Sequence, residues 1–342
     1  MDLDFIPLTI GKNNMQTIFV MIPSLFDPSI QKTVEDCLEK AKYPERITFG
    51  LSLQGVDDVD FSHIKNEKRI IILDSNIVYG IGKTRYQLQQ LYNNEDYILS
   101  IDCHTGFASN WDEKLIDQHS LIQNDKAVIT QFLSERFMSN CIKSKYIYSK
   151  DEAWCQEYVH SSDPEFIKER HLSQRAAPHF IFGTRELAKI PYPYMYFWGD
   201  EDHILSVKLF CNGFDMYELD RTYLTTVPKN AKDCEDRSNW FLSAIKKYQP
   251  DTNYTLSQGA NVTDSSKIVY KSDDLELSRH LFYPGTKTVI DKMYETAKLI
   301  KDEFSDVLIE DFRNTPRSIK EYFSFHNISE SQVASKIDKH YE

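Results

Sequence analysis

The sequence predicts an α/β fold, with a mostly parallel central sheet covered by helices and a helical C-terminal extension. Three observations carry this prediction. Runs such as Ile18-Phe19-Val20-Met21-Ile22 and Ile70-Ile71-Ile72-Leu73 are apolar throughout rather than alternating, as in strands buried on both faces. Such runs interleave with amphipathic stretches in the order strand, helix, strand, strand, helix, strand, the pattern of a helix-covered parallel sheet. The chain has 342 residues, 41% of them hydrophobic, which is ample for the core such a sheet needs.

Each element has its own signal. Residues 17–22 form the first strand. Pro23-Ser24-Leu25-Phe26-Asp27-Pro28 follows, and Ser24 or Asp27 opens a helix to about Lys42 with Val34, Cys37, Leu38 and Ala41 on its apolar face. Residues 47–54 are the second strand and 57–66 a polar loop. Residues 69–73 are the third strand. A helix over 82–92 follows a glycine turn, and residues 97–101, rich in aromatic and branched side chains, form the fourth strand. Asn110 opens a helix over 111–121, and 127–130 is a strand. Residues 135–175 read as polar and irregular. Residues 179–184 are a strand with a bend at Gly183. An aromatic stretch then runs through Trp198 into Gly199-Asp200-Glu201-Asp202, followed by a helix burying Ile204, Leu205, Val207, Leu209 and Phe210. Residues 213–217 and 222–227 are strand-like. Residues 228–271 are polar, with a helix over 238–248 and a loop over 250–265. Helices over 287–304 and 315–338 finish the chain.

Composition narrows the function. The net charge of −12 argues against wholesale nucleic-acid binding, so a phosphate-bearing ligand would require a metal or a local basic cluster. The six cysteines (Cys37, Cys103, Cys141, Cys155, Cys211, Cys234) lack zinc spacing and read as free thiols in a reducing compartment. Met1-Asp2-Leu3-Asp4-Phe5 carries acid where a secretory signal needs basic charge, and no run approaches the ~20 apolar residues of a membrane span. The expectation is a soluble, cytoplasmic protein in which the sequons at Asn253, Asn261 and Asn327 are chance matches.

The chemistry concentrates at strand ends. In parallel sheets ligands sit at the carboxyl ends of the strands, where Pro23, Ser24, Asp27, Gln54, the 80–85 segment, Asp102 and His104 all fall. Asp102 and His104, spaced by two, point the same way if strand geometry continues through them. A carboxylate oxygen and an imidazole nitrogen there suit a divalent cation, manganese above all. The same spacing also fits a loop aspartate beside a surface histidine. Gly80-Ile81-Gly82-Lys83-Thr84 invites a P-loop NTPase reading, but Ile77 stands where that motif needs glycine. What survives is a helix N-terminus with Arg85 able to hold a diphosphate, or simply a glycine turn with solvated cations. Asp200 and Glu201 complement a helix dipole, or present a carboxylate to a polar substrate beside Trp198. His280, within an apolar-aromatic run, reads alone as a core histidine.

Taken in order, these stations resemble the glycosyltransferases that add α-N-acetylglucosamine to hydroxyproline of the ubiquitin-ligase adaptor Skp1. That family is similar in turn to the polypeptide N-acetylgalactosaminyltransferases. The carrying segments are residues 18–28, Thr33 to Ala41, Phe49-Gly50-Leu51 with Gln54, Gly82 and Arg85, Glu95 to His104 with Phe107 and Trp111-Asp112, Phe197 to Glu201, 213–217, Arg279 to Tyr283, and Arg317 to Tyr322 with Phe325. Cys103 departs from the family's usual serine. The resemblance implies a GT-A fold, with a core over 16–227 holding the donor-nucleotide and metal site. It leaves 228–271 as an inserted mobile segment and 272–342 as the C-terminal part supplying a late histidine and closing helices.

The same resemblance implies a retaining transferase that uses UDP-N-acetylglucosamine or a related UDP-sugar. Mn2+ (or Mg2+) would be held by Asp102, His104 and His280. Pro23, Ser24, Asp27, Gln54 and Asp102 would lie on the nucleotide side, with Arg85 on the diphosphate. Glu201, Asp200 and Trp198 would face the reacting sugar, and the acceptor would be a hydroxyl of a protein or glycan. Rival expectations are a same-fold transferase acting on a glycan or lipid-linked acceptor, and a non-catalytic sugar-nucleotide-binding module.

Overall fold

The computed structural model describes residues 15–75, 81–135, 137, 142–148, 154–160, 171–173, 176–193, 201–219, 221–228, 253–256, 268–271 and 315–325. Its centre is an eight-stranded sheet. β1 (Ile18–Leu25), β2 (Ile47–Gln54), β3 (Lys68–Leu73) and β4 (Tyr97–Ile101) are mutually parallel, with β1 between β2 and β4. Two short strands complete the site side: β5 (Thr105–Phe107) and β6 (Ala127–Thr130). Hairpin strands β7 (Ile142–Tyr148) and β8 (Trp154–His160) pair with each other. After β9 (His171–Leu172) comes β10 (Phe180–Thr184), which runs antiparallel between β4 and β6. Next is β11 (Asp215–Glu218), parallel to β6. The sheet order is β3-β2-β1-β4-β10-β6-β11-β9. β12 (Leu224–Thr226) pairs with β5, and β13 (Asn253–Leu256) with β14 (Ile268–Lys271).

Helices cover both faces of the sheet around β1 and β4, which explains their unbroken apolar runs; β3 departs from the expectation, Ile70 and Ile72 being exposed on one face of this edge strand. Alternate residues go to opposite sides: Ile18, Val20 and Ile22 pack with Ile30, Val34 and Cys37 of α1 (Ser29–Lys40) and with Trp111 and Leu115 of α3 (Trp111–Ser120). Phe19 and Met21 pack with Leu88 of α2 (Ile81–Gln89) and with Leu205 and Leu209 of α4 (Glu201–Cys211). Each side chain so buried contributes about 1.5–3 kcal/mol relative to exposure. α5 (Ile319–Phe325) starts at a reciprocal cap, in which Ser318 Oγ accepts from Glu321 N while Glu321 Oε2 accepts from Ser318 N.

The sequence order of the first six elements stands, with end shifts of a few residues. Two stretches differ from expectation. Residues 135–175 contain the β7–β8 hairpin, and the 250–265 loop begins with β13. Gly183 sits inside the β10 ladder, opposite Ile98 and Val128, rather than at a bend. The expected helices over 238–248 and 287–304, and the helix beyond residue 325, lie outside the described residues. Among the described residues no helix is long and apolar enough to cross a membrane.

Candidate functional site

The carboxyl ends of β1, β2 and β4 meet at one edge of the sheet. β4 ends at Ile101, and the chain turns through Asp102, Cys103 and His104 before β5. A turn therefore does what strand alternation was expected to do: it aims Asp102 Oδ2 at His104 Nε2, 3.8 Å away. These are the accessible groups of the cluster, Asp102 being 36% and His104 12% exposed.

Helix α1 braces this turn. Thr33 Oγ1 donates to Cys103 O at 2.8 Å and accepts from Thr105 N at 3.1 Å. Asp36 Oδ2 accepts from Phe107 N at 2.7 Å. Thr33 and Asp36 are three apart and so share a helix face. On the far side β12 closes in, Val227 N donating to His104 O at 2.7 Å. Below β5, Trp111 is fully buried and its Nε1 donates to Cys37 O at 2.8 Å.

Two buried charges stand behind Asp102 and His104. Arg85, on α2, is 1% exposed; its Nη2 donates to Asp102 Oδ1 at 2.6 Å and its Nη1 to Ser100 Oγ at 2.5 Å. One carboxylate oxygen of Asp102 is thereby engaged and the other turned toward His104. Asp27, 0% exposed, accepts from Ser29 N through Oδ1 at 3.1 Å and sets Oδ2 3.4 Å from His104 Nδ1. Asp27 thus accepts from the first N–H of α1 and touches the histidine at once.

The other sequence-selected residues divide into two groups. Ser24 Oγ donates to Asp27 O at 2.7 Å, and Gln54 Nε2 to Asp74 O at 3.0 Å. Pro23, Ser24, Asp27, Gln54 and Arg85 are all buried, so they form the floor and back wall of this edge. Glu201 is the first residue of α4, and its side chain is outside what is described. Trp198, Asp200 and His280 lie outside the described residues.

The donor set fits a divalent cation. A carboxylate oxygen faces an imidazole nitrogen, a pairing that manganese accepts. Among the described residues Asp27, Cys103 and His104 also converge, with ligand atoms within 4.8 Å of one another and Cys103 Sγ 3.7 Å from His104 Nδ1. Sequence reasoning missed this second convergence, having set Cys103 aside and placed Asp27 on the nucleotide. It missed the bracing of the turn by Thr33 and Asp36 as well. Their signal was available as two polar residues one helical turn apart on an otherwise core-facing helix.

Comparisons with known proteins now have a geometry to meet. Residues 61–225, which include β3, β4 and the Asp102–His104 turn, match the family model described as glycosyltransferase (GlcNAc). No curated protein sequence matches the chain. Among solved structures the chain is similar to GalNAc-T7 with UDP, GalNAc and Mn2+, with a TM-score of 0.52 and 13% identity. That likeness covers 96% of this chain and 59% of that one, so the chain spans about three fifths of the length of its structural relative. The fold is thus that of the GT-A glycosyltransferases, and the segment that carries Asp102 and His104 is similar to a glycosyltransferase (GlcNAc) domain.

Proposed function

We propose that the protein is a metal-dependent, retaining glycosyltransferase that moves a sugar, N-acetylglucosamine foremost, from a UDP-sugar to a hydroxyl acceptor. The observation that carries the proposal is the pair Asp102 Oδ2 and His104 Nε2, brought together at the carboxyl ends of the parallel strands and each backed by a buried charge. The family model that matches 61–225 and the relative's bound UDP, GalNAc and Mn2+ support it.

In this reading Asp102 and His104 would hold Mn2+ or Mg2+, with His280 as a third ligand. The ion, when bound, neutralises charge on the leaving diphosphate as a Lewis acid. Arg85 holds Asp102 in place, a role its burial supports better than the direct diphosphate contact expected from sequence. Pro23, Ser24, Asp27 and Gln54 shape the nucleotide side. Trp198 packs against the sugar. Asp200 and Glu201 position donor hydroxyls or the acceptor. The acceptor is a protein hydroxyproline, serine or threonine, and the compartment is the cytoplasm.

The test is UDP release from a panel of UDP-sugars, with Mn2+ and with EDTA, for the native chain and for Asp102→Asn. Asparagine is chosen because it keeps an acceptor oxygen for the Arg85 guanidinium, which alanine would take away. The native chain is expected to release UDP fastest from UDP-N-acetylglucosamine and only with metal. The variant should retain its circular dichroism and lose on the order of 100-fold or more in rate. Full Mn2+-dependent turnover by Asp102→Asn would remove Asp102 from the metal site, and no release from any sugar nucleotide would overturn the function.

A further inference from the structure

We propose that the outer edge of β3 pairs with β3 of a second copy of this chain, antiparallel about a two-fold axis through Ile71. The interface would carry the central sheet from one copy into the next.

β3 ends the sheet order, with β2 on one side and, among the described residues, no strand on the other. Phe49 stands opposite Lys68, and its N donates to Glu67 O at 2.9 Å. In a parallel ladder this turns the peptide groups of Glu67, Arg69 and Ile71 toward β2 and those of Lys68, Ile70 and Ile72 outward. Among the described residues no hydrogen bond reaches the main chain of Ile70 or Ile72 on that outer side. Their side chains are exposed too, Ile70 by 41% and Ile72 by 83%. Both lie on the face of Leu51 and Leu53, their register partners on β2. Sheet edges are commonly guarded by a charge or a proline, and the run Ile70-Ile71-Ile72 carries neither.

Symmetry and charge select one register. Residues opposite each other in an antiparallel pair put their side chains on the same face. A two-fold axis normal to the sheet preserves that face, so it must pass through a residue of β3 and not between two. Centred on Ile70, it sets Lys68 against Ile72 of the second copy. Centred on Ile72, it sets Ile70 against Asp74. Centred on Ile71, it sets Ile70 against Ile72 twice over and Lys68 against Asp74 twice over. Only this last arrangement opposes apolar to apolar and plus to minus throughout. In it Ile70 and Ile72 exchange their outward N–H and C=O groups with the second copy. Lys68 is held beside the edge by its own loop, Nζ donating to Asn66 O at 3.2 Å and also to Ile64 O. Its ammonium has a third donor for Asp74 of the second copy.

The contact is narrow, so the dimer is a weak one. Antiparallel pairing also points the two carboxyl edges in opposite directions, and neither copy covers the other's Asp102–His104 turn.

Sedimentation equilibrium of the full-length protein from about 1 to 100 µM should show monomer passing to dimer. Ile72→Lys should weaken dimerisation on the order of 100-fold or more, because this isoleucine is buried twice in each dimer. Ile72 is exposed in the single chain, so the variant's unfolding midpoint at low concentration should stay that of the native protein. Register is read by mixing Ile70→Cys chains with Ile72→Cys chains under a mild oxidant. The disulfide between positions 70 and 72 should form faster than either self-disulfide. A native chain that stays monomeric at every concentration would overturn the proposal and leave the edge to another occupant. A dimer left intact by Ile72→Lys would place the interface elsewhere, and faster self-disulfides would overturn the register.

Discussion

The residues at the sheet edge that are easiest to read are the ones that reach solvent. Asp102 and His104 stood out because an acidic residue and a histidine end an apolar strand. Asp27 and Arg85 did not show their roles, because their partners lie far away in sequence and no local pattern encodes such pairings. A similar contact governs His119, which is buried in α3 with Nε2 3.0 Å from Ala127 O and rings of Tyr97 and Phe182 edge-on to it. Burial lowers its pKa from the ordinary 6.5, outweighing the Ala127 bond and Asp125, which pull it upward. The sign follows from proton binding: below pH 6.5 the unfolded chain takes up a proton that the folded chain refuses. The contribution of His119 is therefore complete above that pH and declines as pH falls toward the lower folded value. Thermal unfolding of the native chain between pH 7.5 and 5 should show this loss, and His119→Gln should flatten that part of the curve. An equal slope in both would mean that other groups set it. Cys211, by contrast, is held inert, its thiol pushed up to about 12 by burial first and Glu321 second.

At the scale of elements, apolar runs were sufficient wherever both faces of a strand are covered, which is why β1, β2 and β4 were legible; β3 was legible from its run of branched residues although Ile70 and Ile72 are exposed. The β7–β8 and β13–β14 hairpins were not, because Ile142-Lys143-Ser144-Lys145 and Asn253-Tyr254-Thr255 mix polar residues into short strands. The corner where β1 and β2 end was also hidden. Phe26 and Gly55 both take left-handed backbone, with φ of 47° and 64°, and Phe26 N donates to Gln54 O at 2.8 Å. A Cβ on Gly55 would lie 2.2 Å from the Phe26 ring. Gly55→Ala should therefore cost at least about 1 kcal/mol from the backbone alone, with displacement of Phe26 added. Because Phe26 adjoins Asp27, the same change should disturb the histidine's partner. Urea unfolding checks the first effect, and an unchanged midpoint would show that the corner relaxes without strain.

For the whole molecule, the sequence carried the layer order but not the strand order. That β10 runs backwards between β4 and β6 follows from contacts between segments remote in the chain, and no local composition announces it. The arrangement has a kinetic side. Roughly 80 residues separate the end of β4 from the start of β10, and at synthesis rates of about 5–20 residues per second they occupy on the order of ten seconds. Throughout that interval the free flank of β4 has no final partner, and β6 emerges as a parallel strand able to pair with it directly. The nascent sheet must stay open at its middle until β10 arrives to wedge the two apart. In refolding followed by pulsed hydrogen exchange, the amides shared among β1, β2 and β3 should gain protection before those of Phe180–Thr184. Simultaneous protection would show that the sheet closes in one step. If the order holds, the hazard for this chain is a β4–β6 pairing made too early, which would leave β10 without a slot.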